Sequence, residues 1–242
     1  MTSSSPTRGV IYIATGEPYR TAAFRSAESV RKHSPDLAID LYTDVIPEGD
    51  TPFDHIGIVE NPHPRSKVDY LQKSRFEETL YLDSDTKVVA DITGMFDLLE
   101  RFDVALAHAH ARNRRGTTEL WRTEIPDAFP QLNGGVILFR NVDAVNAMLK
   151  AWSDSYHHAG FSKDQVTLRE LLWISDLRVH ILPPEYNIRY SRYIDFWASW
   201  EADPKILHYA VFHKELRPKK TLLERVTAPV KKLRTRLRPK NR

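Results

Sequence analysis

Two apolar runs of strand length, Val10 to Thr15 (VIYIAT) and Ala38 to Thr43 (AIDLYT), enclose one segment of helical periodicity. The first run is the kind of strand that is buried on both faces, and Gly16 interrupts it. From Tyr19 to His33 the residues Ala23, Phe24, Ala27 and Val30 recur at helical spacing, until Ser34-Pro35 ends the run. The second strand closes on Asp44. Strand, helix and strand with short connections form the parallel crossover unit of an α/β sheet, which rules out all-helical and purely antiparallel architectures.

The alternation continues along the chain. His55 to Val59 reads as a third strand, and Ser66 is placed to cap a helix containing Lys67, Val68, Leu71 and Phe76. Asp91 opens a helix with Met95, Leu98, Leu99 and Phe102 on one face, and Asp103 to Ala107 returns as a strand. Asn133-Gly134-Gly135 opens the strand Val136 to Phe139. A helix then starts at Asn141 or Asp143 and turns Val145, Met148, Leu149, Trp152 and Tyr156 inward. Another runs from Lys163 to Trp173, followed by a strand from Arg178 to Leu182 and an extended piece from Lys205 to His208. The stretch from His108 to Gln131 has no periodicity, and a connection that long is usually a functional lid or disordered; we read it as a mobile acceptor-side loop. His108 and His110 open it, either facing a cleft or marking an exposed loop entry. Trp197 and Trp200 suit either buried packing, the simpler expectation, or a stacking platform for a sugar.

The chemistry concentrates in Thr79 to Val89, TLYLDSDTKVV. If the extended conformation lasts through Asp85, Asp83 and Asp85 point to one face and Ser84 to the other. Two carboxylates at a strand end can hold a hard divalent cation that keeps open positions for the oxygens of a diphosphate. The same triplet also suits a solvated turn whose carboxylates cap the next element.

At 242 residues, 41% apolar and 28% charged, the chain can bury a full core. No apolar run approaches 18 residues, the length a spanning helix needs. The opening MTSSSPTRG lacks the apolar core of a secretory signal, so residues 1–8 are expected to be a flexible end. The absence of cysteine excludes disulfides, thiol catalysis and cysteine-ligated zinc, and fits a cytoplasmic location. Charge is uneven. Lys214 to Arg242 carries twelve Lys and Arg against Glu215 and Glu224, a net of +10, so the chain's +3 leaves −7 for the body. The expected organisation is one domain over residues 1–213 and a basic amphipathic tail over 214–242. That tail suits the anionic inner face of a membrane or a solvated extension.

Six stretches in order, VIYIATG, SKVDYLQKSRFEETLYLDSDT, FPQLNGGVILF, KDQ, LPPEYN and ILH, together resemble the nucleotide-sugar glycosyltransferases of the GT-A fold, over roughly residues 9 to 213. The glycogenin and lipopolysaccharide-galactosyltransferase type, and bacterial nucleotide-diphospho-sugar transferases, are the most similar. The resemblance implies a Rossmann-like, mainly parallel mixed sheet flanked by helices. It further implies that Asp83 and Asp85 bind Mn²⁺ or Mg²⁺ and through it a nucleotide diphosphate, with Ser84 beside it and His208 as a further ligand. Lys67 is implied as a donor contact, Asn133 and Gly134 as lying beside the donor sugar, Asp164 and Gln165 as near the reacting centre, and Ala14 and Thr15 as touching the nucleoside. Donor and acceptor would be a nucleotide-diphosphate sugar, by preference a UDP-sugar, and a glycan or lipid-linked hydroxyl, with retention favoured.

The sequence departs from that family where His-x-x-Gly and Lys-Pro-Trp are usual: here His208-Tyr-Ala-Val precedes His213-Lys214, which leaves Lys214 as the candidate for the lysine that touches the diphosphate. Gly134 replaces a Ser, Thr or Ala. Structural alternatives accompany each position. Asn133-Gly134 is also a hairpin signal. Ser162 with Gln165 fits a capping box, and Asp164 suits the helix dipole. Lys67 fits a helix surface, and a lone His208 fits a satisfied core. Two other functions stand beside transfer: a sugar-phosphate nucleotidylyltransferase, disfavoured because no Gly-rich phosphate loop follows the first strand, and a nucleic-acid-binding module using the tail, disfavoured by the negative body, so that no nucleic acid is expected.

Overall fold

The structure is a computed structural model and describes residues 7–198 and 200–214. The expectations for residues 1–6 and for the tail from 215 onward lie outside the described residues.

Among the described residues, nine strands and six α-helices follow the expected alternation. The strands are β1 (Arg8–Ile13), β2 (Ala38–Thr43), β3 (His55–Ile58), β4 (Glu78–Leu82), β5 (Thr86–Val88), β6 (Val104–His108), β7 (Leu132–Arg140), β8 (Val179–Ile181) and β9 (Ile206–His208). The helices are α1 (Glu17–His33), α2 (Lys67–Tyr70), α3 (Asp143–Ala159), α4 (Gln165–Ile174), α5 (Arg192–Asp195) and α6 (Val211–Lys214). Seven strands form one sheet in the order β3-β2-β1-β4-β7-β6-β8, and β5 pairs with β9 in a separate ribbon. Only β7 runs against its neighbours in the large sheet. Strands β1, β2, β4, β6 and β8 therefore all end at one edge, and β7 starts there.

The apolar runs of β1, β4 and β7 are buried on both faces, as parallel-type strands require. Val10, Tyr12, Leu80 and Leu82 pack on one side with Ala23, Ala27 and Val30 of α1. The alternate residues Ile11, Tyr81, Ile137 and Phe139 meet Val145, Leu149 and Trp152 of α3 and Leu168 of α4 on the other.

Four local expectations are corrected. The chain does not stay extended through Asp85: after Leu82 it turns, with Thr86 N–H donating to the Asp83 carbonyl at 3.1 Å, and β5 leaves the main sheet. The helix at Ser66 is one turn of α-helix and a 3₁₀ turn (Leu71–Lys73), ending before Phe76. Ser66 does not cap it, because its hydroxyl exchanges hydrogen bonds with the His63 backbone. The segment with Met95 and Leu99 is a 3₁₀ helix, Thr93–Glu100, and Asp91 accepts from Thr93 at its start. Asn133-Gly134 lies inside β7, not in a hairpin turn. The two residues lie between Leu132, paired with His108 of β6, and Val136, paired with Leu82 of β4, where the β6 register is irregular.

Candidate active site

In open α/β sheets ligands sit beyond the carboxyl ends of the strands. At that edge lies a cleft of about 840 Å³, lined by Ala14 and Thr15 after β1, Asp83, Ser84 and Asp85 after β4, Asn133 at the start of β7, and Asp164, Gln165, Lys67 and His208. Every sequence-derived site residue is thus brought together except Gly134, which borders the cleft through its carbonyl, the acceptor for Lys67 Nζ at 2.6 Å.

The turn after β4 folds Asp83 and Asp85 toward His208. His208 Nε2 lies 3.0 Å from Asp85 Oδ1 and 3.5 Å from Asp83 Oδ2, and the three side chains are close enough for one ion. The β5–β9 ribbon sets this distance by pairing Thr86 with His208, while Tyr209 N–H donates to the Asp85 carbonyl. Asn187 fixes the imidazole. Its amide nitrogen donates to Asn133 Oδ1 at 3.1 Å, so its oxygen faces His208 Nδ1 at 2.8 Å and that nitrogen must carry the hydrogen. Nε2 then presents a lone pair toward two carboxylates in the neutral ring. Such a donor set, orienting partner included, fits a divalent cation. Gly135 makes room for it: a Cβ there would stand 2.2 Å from His208 Cε1 and 2.6 Å from Asp83 Oδ2.

The turn itself is held from below by buried hydroxyls. Tyr12 O–H, Ser26 Oγ and Thr86 Oγ1 form a chain at 2.9 and 2.7 Å, and Thr86 donates on to the Asp83 carbonyl at 2.8 Å. Burial pushes the Tyr12 phenol far up, so it stays neutral in this chain.

Lys67 links the two acidic parts of the cleft. Only 6% exposed, its Nζ is 3.2 Å from Asp83 Oδ1 and 3.4 Å from Asp164 Oδ2. Burial works against its charge, but Asp164 and Asp83 outweigh it and raise its pKa. Burial likewise opposes ionisation of Asp83, yet Lys67, His208 and the Tyr81 hydroxyl, which donates at 2.6 Å, hold that carboxyl well below its usual range. Asp164 is 2% exposed and faces Arg65 Nε at 3.4 Å as well as Lys67. Its Oδ2 is buried without a hydrogen-bond partner. The expected capping box of Ser162 with Gln165 is not formed: Asp164 itself takes the N-cap position of α4, with no side-chain cap hydrogen bond. The Asp164 carbonyl instead accepts from Trp152 Nε1, and its carboxylate turns to the cations.

No protein-family model matches the chain, and no curated protein does. Among solved structures it is similar to the glycosyltransferase GlyE of Streptococcus pneumoniae TIGR4 (19% identity, TM-score 0.59, covering 84% of this chain and 54% of that one). It is also similar to the galactosyltransferase LgtC in complex with donor and acceptor sugar analogs (15%, TM-score 0.61, 90% and 99%) and to mouse xyloside xylosyltransferase 1 (12%, TM-score 0.51, 83% and 97%). The chain thus spans about half the length of GlyE and nearly all of the other two. The fold is that of the GT-A glycosyltransferases.

Within the GT-A cleft several residues emerge that sequence reasoning passed over. Asn187 orients His208 from 21 residues away; it ends the LPPEYN stretch of the resemblance, which gave it no role. His213 meets Ser84 Oγ at 2.7 Å and Asp85 Oδ2 at 3.5 Å, at the place where the family's usual lysine motif is absent. Asp44, after β2, accepts the Gly16 N–H with both oxygens and pairs with Arg20 at 2.6 Å. This fixes the left-handed Gly16 (φ 84) at the start of α1. A signal existed for Asp44: it ends β2 as Asp83 ends β4. The two loop histidines separate. His110 lines the main cleft and stacks edge-on against Tyr190, whereas His108 lines a second, smaller cavity with its Nδ1 buried and unpartnered. Trp200 is 83% exposed, against the expectation of buried packing.

Proposed function

We propose that the protein is a metal-dependent glycosyltransferase that moves a sugar from a nucleotide-diphosphate donor, by preference a UDP-sugar, to a hydroxyl of a glycan or lipid-linked acceptor. The observation that carries this reading is the group formed by the half-buried Asp83 and the buried Asp85 and His208 on the GT-A edge of the sheet, with His208 presented by Asn187.

Asp83, Asp85 and His208 would hold Mn²⁺ or Mg²⁺. The cation, when bound, supplies Lewis-acid stabilisation of the diphosphate leaving group. Ala14 and Thr15, at the end of β1, would contact the nucleoside, and Ser84 and Asn133 the donor beside the metal. Lys67 adds a fixed positive charge against the same leaving group, held by Asp164 and Asp83 so that no reorganisation is needed as charge develops. Asp164 Oδ2, buried and lacking a hydrogen-bond partner, suits a sugar hydroxyl. Gln165 beside it lines the cleft as a second polar contact near the reacting carbon. In transfer the anomeric carbon–oxygen bond to the phosphate breaks, its electron pair leaves with the diphosphate, and the acceptor oxygen forms the new bond. With retention the departing phosphate takes the acceptor's proton, so no dedicated base is required. The protein would act in the cytoplasm, with its basic tail against the inner membrane face where lipid-linked acceptors lie.

The test is a thermal-shift screen of UDP-, GDP- and other nucleotide sugars with and without Mn²⁺. One nucleotide class is expected to stabilise the protein only with metal, by about 2.7 kcal/mol at a hundredfold excess over Kd, and the effect to vanish in Asp85→Ala. Equal stabilisation with and without metal would refute the reading.

A further inference from the structure

Charge is distributed unevenly along the cleft. At its β1–β4 end every acid has a cationic or imidazole neighbour: Asp44 pairs with Arg20, Asp83 with Lys67, Asp164 with Lys67 and Arg65, and Asp85 with His208. Around His110, two residues past β6 and in contact with Tyr190, the relation is reversed. Arg114, Lys163 and Arg189 line the same cleft and form no ion pair among the described residues. Lys163 reaches only a backbone carbonyl, that of Gly116, at 3.4 Å. His110 reports the local field: its pKa is depressed first by burial and then by Arg189, Arg114, Arg192 and Arg112 together. Arg192 stacks on Tyr190 and Tyr193, with its guanidinium 4.9 and 5.6 Å from the ring centroids.

Unpaired cations facing one cavity repel each other, and an anion relieves that repulsion. Guanidinium groups hold phosphate and carboxylate in particular, through two parallel hydrogen bonds. Lys67 and the Asp83–Asp85–His208 group would already serve the donor's diphosphate at the end of β4, which leaves these cations for a second anionic group in the same cleft.

We infer that the acceptor is anionic, with a phosphate or carboxylate held by Arg114, Arg189 and Lys163 in the cleft. The inference rests on the transferase reading above and names the class of substrate that would share the cleft with the nucleotide sugar.

The experiment uses the full chain in Mg²⁺ with a saturating nucleoside diphosphate, so that the donor phosphate positions are filled. Glucose 6-phosphate, glucuronate and glucose are then titrated while the thermal midpoint is followed. Both anions are expected to raise the midpoint further and glucose to leave it unchanged. In Arg114→Gln/Arg189→Gln the anion response should weaken at least tenfold, and Arg189→Lys should restore part of it. The midpoint of each variant without ligand shows that it is folded. Equal responses to glucose and the anions, or an anion response unchanged in the double variant, overturn the inference. A nucleoside diphosphate that fails to stabilise the protein counts against the transferase reading instead, so the two failures are separable. Anionic phospholipid vesicles that bind through Arg114 and Arg189 support an acceptor whose phosphate is on a lipid. Single-stranded nucleic acid binding through the same arginines, with no response to sugar anions, overturns it.

Discussion

Gly134 and Gly135 are adjacent in β7 and have opposite tolerances. A Cβ on Gly134 would meet Lys67 Nζ, Asp164 and Trp152 at 3.5 to 3.6 Å, ordinary contact distances, so Gly134→Ala is expected to keep both its melting temperature and its metal-dependent nucleotide response. The Ala found among the usual residues at this position in the resembled family would therefore fit. A Cβ on Gly135 overlaps His208 and Asp83, so Gly135→Ala should lose the metal response even where the chain still folds. Metal titration by calorimetry on the two variants checks the contrast. Lys67 offers a second residue-scale prediction. Replacing it by Met removes the cation shared by Asp83 and Asp164 but leaves Arg65 on Asp164 and His208 and Tyr81 on Asp83, so the expected cost, measured by denaturant unfolding, is less than the about 3–5 kcal/mol of a fully unpaired buried charge.

At the scale of elements, the long connection between β6 and β7 is tied down by two neighbours on α4, Arg169, which donates to the Ile125, Pro126 and Phe129 carbonyls, and Glu170. Glu170 of α4 is buried and accepts from the backbone N–H groups of Arg122 and Thr123 at 2.7 and 3.0 Å, and from their side chains. Burial opposes its charge, but these four donors outweigh it and depress its pKa below the ordinary 4.5. A depressed carboxylate contributes stability that is complete above its unfolded pKa and is lost as pH falls through the lower folded value. Glu170→Gln is therefore expected to cost about 2 kcal/mol at neutral pH, with the gap to wild type closing below about pH 4.5. Hydrogen exchange at the Arg122 and Thr123 amides should rise in the variant. A second staple joins α2 to α3: Asp69 accepts from His63, Ser153 and His157. His63 Nδ1 accepts the Arg65 N–H, so its Nε2 carries the hydrogen toward Asp69. That cluster fixes the loop bearing Arg65 and the helix bearing Lys67.

For the whole molecule, the body's negative balance and the tail's +10 predict that any membrane attachment is electrostatic. Removing residues 218–242 should abolish binding to anionic vesicles and leave binding to zwitterionic ones unchanged; equal affinity of both forms would dismiss the attachment. Strand positions, helix faces and the crossover topology were legible in the sequence because burial on both faces leaves a local mark: apolar runs of strand length and residues recurring at helical spacing. Asp83 and Asp85 were legible for the same reason, since a carboxylate pair ending a buried strand stands out against its apolar neighbours. What the linear pattern could not contain was convergence. The turn that aims the two carboxylates is set by the Tyr12, Ser26 and Thr86 hydroxyls, drawn from β1, α1 and β5. The proton on His208 is placed by Asn187, and the charge on Lys67 is kept by Asp164, nearly a hundred residues away. Periodicity records only which side of an element faces the core. Which distant side chains share a hydrogen bond there depends on how the strands line up at one edge of the sheet, and only the folded chain decides that.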